Sequence, residues 1–74
     1  MKSLEIKAAR TRLGYSQEDM GNMLGMPAST YASKENGKTP FSDYQKVSLM
    51  YILELTPSQF NEFLYDGILP IESA

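Results

Sequence analysis

Apolar residues recur three and four apart along most of the chain, and polar caps or glycines separate one run from the next. In LEIKAARTRL, Ile6, Ala9 and Leu13 share a helical face, with Ser3 in front as a cap and Gly14 behind as a stop. Ser16 and Asp19 are spaced as a capping box that opens QEDMGNML, which Gly25 closes after about two turns. Pro27 suits a first helical position, so a third helix is predicted from about Pro27 to Asn36, closed by Gly37. Thr39-Pro40-Phe41 is a connector, because the residue before proline avoids helical geometry. Ser42 with Gln45 is a second capping box, opening DYQKVSLMYILEL, where Val47, Met50, Tyr51 and Glu54 mark the border between a buried and a wet stripe. Thr56-Pro57-Ser58-Gln59 caps a fifth helix running to about Tyr65, ended by Asp66-Gly67.

This pattern contains no alternating strand, repeat or linker. It predicts one compact all-α domain of five short helices over residues 1–67, followed by a short C-terminal tail, 68–74, without helical register. Phe60, Phe63 and Leu64 are expected in the core. Ile68, Leu69, Pro70 and Ile71 either cover the edge of the core or form an exposed apolar patch, a feature that marks interfaces.

Composition narrows the chemistry. At 74 residues, a chain of this kind buries about 60% of its unfolded surface, too little for a large catalytic cleft. The absence of cysteine removes disulfides and thiolate metal sites, and the absence of histidine removes the usual imidazole ligand and base. Neither an enzyme nor a cofactor is expected. No apolar run approaches the ~20 residues of a membrane span, and MKSLEIKAAR is too charged for a signal peptide. A cytoplasmic, soluble domain without membrane partners is the expectation. The net charge of −2 is unevenly spread. Residues 1–46 carry all seven bases against five acids, whereas residues 47–74 carry four acids and no base. That leaves a weakly basic N-terminal half suited to phosphate, on a chain that is acidic overall.

The second and third helices satisfy a set of steric demands. Counting from Gln17, two short helices meeting steeply need an apolar fourth residue (Met20), a very small fifth (Gly21) and an apolar eighth (Leu24). They also need glycine at the ninth for a left-handed turn (Gly25) and apolar residues at the tenth and fifteenth (Met26, Tyr31). The eighteenth, usually large and apolar, is Lys34. Its stem is expected to be buried while its ammonium escapes to water.

With IKAARTRLGYSQEDMGNMLGMP and TYASKENGKTP, the chain resembles the Cro/CI-type, or XRE, helix-turn-helix family of phage and bacterial repressors, over residues 4 to about 65. The string ENGKTPF, followed by a helix and LTPSQFNEFLYDG, is similar to a branch common in prophages. The resemblance implies a lambda-repressor-like fold with its helix-turn-helix at about residues 17–36, bound to double-stranded operator DNA through helix three in the major groove. It also implies an ion pair between Arg10 and Glu35, joining the first helix to the end of the third. Carried over by position, Gln17 holds a phosphate with its backbone and side-chain amides both free. Ala28, Ser29, Ala32 and Ser33 face base edges, and Asn36, Lys38 and Thr39 meet flanking phosphates. The plainer alternatives are a helix-start glutamine, a loop lysine and two serines that solubilise an exposed face. The C-terminal region of such proteins commonly forms a homodimer.

Alanine and serine read bases poorly, since discrimination comes mainly from bidentate side chains worth about 1–3 kcal/mol each. Specificity would then be weak or come from DNA shape and water. The same small residues, the net acidity and Met23 on the second helix suit an alternative, a small antirepressor that binds a repressor protein instead of DNA.

Overall fold

Three of the five helices begin with a reciprocal capping box, which is why their starts were legible in the sequence. The Ser16 hydroxyl accepts from the Asp19 N–H at 2.9 Å, and the Asp19 carboxylate accepts from the Ser16 N–H at 2.8 Å. Ser42 with Gln45 and Thr56 with Gln59 repeat the arrangement at 2.9 and 3.1 Å. Each cap contributes about 1 kcal/mol. The computed structural model describes residues 1–69. Its helices are α1 (Ser3–Arg12), α2 (Gln17–Leu24), α3 (Ala28–Glu35), α4 (Asp43–Ile52) and α5 (Pro57–Tyr65), with no strand among the described residues.

Two predicted starts are displaced by one residue. Ser3 is the first residue of α1, and the cap position falls to Lys2, whose side chain makes no capping bond. The Lys2 N–H instead donates to the Phe63 carbonyl of α5 at 2.7 Å, so a tertiary contact replaces the local cap. Pro27 is the cap of α3, not its first helical residue, because its ψ of 152° is still extended.

The helix ends show where the chain accepts strain. Gly37, at φ +82°, permits the Lys38 N–H to reach the Ser33 carbonyl at 2.9 Å and its own N–H to reach the Lys34 carbonyl at 3.1 Å. The same pair of bonds ends α4, from the Leu55 and Glu54 N–H groups to the Met50 and Tyr51 carbonyls at 2.9 and 3.3 Å. There the left-handed position is held by Glu54, at φ +56°, a conformation costing a non-glycine residue roughly 1–2 kcal/mol.

The core gathers Ile6 and Ala9 from α1, Met20 from α2, Tyr31 from α3, Leu49, Leu53 and Leu55 from α4 and its exit, and Leu64 from α5. Phe41, in the connector, is buried with them and packs against Tyr31 at 5.9 Å between ring centroids. Phe60 and Phe63 lie half-buried against this cluster. On α4, Met50 is half-buried while Val47, Tyr51 and Glu54 face solvent. The Tyr65 hydroxyl donates to Asp43 at 2.9 Å and ties α5 to the start of α4. At the C-terminal end, Asn61 holds Leu69 through two hydrogen bonds of 2.8 and 3.1 Å, and Ile68 is 80% exposed. Pro70 and Ile71, also expected at this edge, lie outside the described residues. Among the described residues no helix is long and apolar enough to cross a membrane.

Candidate nucleic-acid interface

The angle between α2 and α3 is set at Gly21. A Cβ there would lie 2.5 Å from the Met26 carbonyl oxygen and 3.3 Å from both the Ala28 nitrogen and the Pro27 carbonyl carbon. The lead-in to α3 therefore passes directly over α2, and the Met26 N–H closes the turn onto the Gly21 carbonyl at 2.9 Å.

A buried polar network then joins α1, α2 and α3. Arg10 grips Glu35 with two parallel bonds, Nε to Oε2 at 2.7 Å and Nη2 to Oε1 at 3.1 Å, and its Nη1 donates to the Tyr15 carbonyl at 2.8 Å. The Tyr31 hydroxyl donates to Glu35 Oε2 at 2.7 Å, and Gln17 Nε2 donates to Oε1 at 3.3 Å. Glu35 is 1% exposed. Among the described residues no buried side-chain polar atom lacks a partner. Burial alone would push the Glu35 carboxyl up, but the donors from Arg10, Tyr31 and Gln17 more than offset it and hold it below the ordinary glutamate value. Burial and the bond to Glu35 both push the Tyr31 phenol up, so it stays protonated as a donor. The bond to Glu35 likewise raises Arg10 against the opposing effect of its burial.

On the outer side of α3, Ser29 and Thr30 are exposed, while Ala28, Ala32 and Ser33 are half-buried. Asn36, Lys38 and Thr39 project from the loop after α3 and are all exposed. Gln17 stands half-buried at the first position of α2, where its backbone N–H has no intrahelical acceptor. Its side-chain amide is not free as expected. One of its two donors is held by Glu35, because the carboxylate still has acceptor capacity beside the Arg10 fork. The Lys34 stem is half-buried as expected, and its ammonium, at the exposed surface, turns back to the Pro40 carbonyl at 2.8 Å.

Thr30 is not among the residues expected to face the bases, yet it is exposed beside Ser29. The 100° helical step places Thr30 and Ala32 symmetrically about the buried Tyr31, so the tyrosine signals one no less than the other. Among the described residues no group of three His, Cys, Asp or Glu converges as a metal site.

Two short helices joined by a tight turn, with a glycine at their close approach and a locked ion pair behind it, define a helix-turn-helix unit. The helix-turn-helix family model matches residues 6–43. The chain belongs to this family, and it is a DNA-binding regulator of the XRE kind, a class of regulators and not of enzymes. No curated protein and no solved structure matches the chain.

Proposed function

We propose that this protein is a Cro-like or repressor-like transcriptional regulator that lays α3 in the major groove of operator DNA. The observation that carries the reading is the two-sidedness of α3. Tyr31 and Glu35 are sealed into the interior, while Ser29 and Thr30 are exposed. Gln17 reaches Glu35, the last residue of α3, and Asn36, Lys38 and Thr39 follow it in the exposed loop. Ala28, Ser29, Ala32 and Ser33 face the bases, with Thr30 beside them. Contacts this small favour readout through DNA shape and bridging water. A homodimer through the C-terminal region, where Ile68 is exposed, would set two α3 helices about one DNA turn apart.

A second reading, a modulator that captures a repressor protein through the small residues of α3, draws on the net acidity of the chain and on further exposed apolar side chains. Tyr44 and Tyr51 on α4 are 83% and 76% exposed, and Met23 on α2 is 44% exposed. Ser29→Arg separates the two readings. In the groove, a long bidentate donor at this position raises DNA affinity or shifts its sequence preference. On a protein-binding face, the same charge abolishes the protein complex and leaves DNA binding absent.

A further inference from the structure

Lys34 occupies the position at which the helix-turn-helix pattern asks for a large apolar side chain, and the structure gives it another task. Its stem is half-buried and its ammonium spans the loop after α3 to the Pro40 carbonyl at 2.8 Å. The loop so bridged carries Asn36, Lys38 and Thr39, all exposed. Near α3, this loop is tied by the bonds from the Gly37 and Lys38 N–H groups to the Lys34 and Ser33 carbonyls. Thr39 is held less firmly, its N–H lying 3.5 Å from the Ser33 carbonyl. Pro40 has no N–H to donate, and Phe41 after it is sunk in the core. The Lys34–Pro40 bond therefore fastens the half of the loop that backbone bonds hold least.

We propose that Lys34 is a positioning residue, a strap that holds residues 36–39 in the shape that presents Asn36, Lys38 and Thr39 to phosphate. A cation in the last turn of α3 is also favoured by the helix dipole, so the strap does not oppose the helix it starts from. Its purpose rests on the DNA-binding reading given above, but the strap itself is testable without DNA.

The test uses the full chain with Lys34→Met, which keeps an unbranched stem and removes the ammonium, and Lys34→Arg, which keeps a cationic donor. Lys34→Ala is the second neutral variant if methionine disturbs the packing. Nitrogen-15 relaxation on the free protein should show order parameters falling most at Thr39, from about 0.85 to below about 0.6 in Lys34→Met, and less at Gly37 and Lys38, which keep their own backbone bonds. In Lys34→Arg they should stay near wild type. Unchanged order parameters in both neutral variants overturn the strap. On DNA, Lys34→Met should weaken binding by about three- to tenfold, the scale of one hydrogen bond. Combined with Lys38→Ala, the loss should be smaller than the product of the single losses, because the two act through one loop. Losses that multiply mean that Lys34 acts independently, which overturns positioning. A loop that loosens in a protein whose wild type binds no DNA upholds the strap and overturns the reading that gives it a purpose.

Discussion

Replacing Gly21 by alanine tests the packing that makes the helix-turn-helix. In a helix interior with room for a methyl group, glycine to alanine stabilises by about 1 kcal/mol. Here the new Cβ would stand 2.5 Å from the Met26 carbonyl oxygen, whereas carbon and carbonyl oxygen settle at about 3.3 Å or more. The turn must retreat by roughly 0.8 Å, and the neighbouring atoms are backbone, so no rotamer change relieves the clash. Overpacking of this kind costs about 1–3 kcal/mol. Set against the gain in helix propensity, the net change is a loss of about 0–2 kcal/mol, or a fall in Tm of up to about 16 °C for a domain of this size. Urea and thermal unfolding followed by circular dichroism at 222 nm measure it. A Gly21→Ala protein more stable than wild type by about 1 kcal/mol, the full gain expected where a methyl group has room, refutes the close passage of α3 over α2.

The Glu35 network should govern acid stability. Because the folded-state carboxyl is held below its ordinary value of 4.5, its contribution is complete above the unfolded pKa and is lost as pH falls through the folded one. Urea midpoints measured from pH 6 to pH 2 should fall in wild type and flatten in Glu35→Gln, and equal slopes contradict the assignment. Glu54→Gly removes a left-handed non-glycine residue from the end of α4 and should stabilise by about 0.5–1 kcal/mol. A lower urea midpoint for that variant would show that the strain is absent.

Local chemistry was the legible part of this chain. The Ser16, Ser42 and Thr56 caps are closed by a residue three positions on, so sequence spacing alone identified them. The Arg10–Glu35 pair came from resemblance to a family. Its second layer did not, because the bonds from Gln17 and Tyr31 to Glu35 depend on how three helices meet. Phe41 had the sequence context of a connector and proved to be core, since its burial comes from Tyr31 and not from its neighbours in the chain. The start of α1 was misjudged for a related reason, its first turn being fastened by the Phe63 carbonyl of α5. Lys34 was marked as a departure from the pattern, but the Pro40 carbonyl that receives it becomes a partner only once the loop is folded.

The account stands most directly on one titration, fluorescence anisotropy of labelled duplexes from the flanks of the protein's own gene at two salt concentrations. It predicts saturable binding that weakens steeply with salt, with a log–log slope of about −0.9 for each phosphate contacted. No binding at the lower salt would contradict it and leave α3 as a surface for a protein partner.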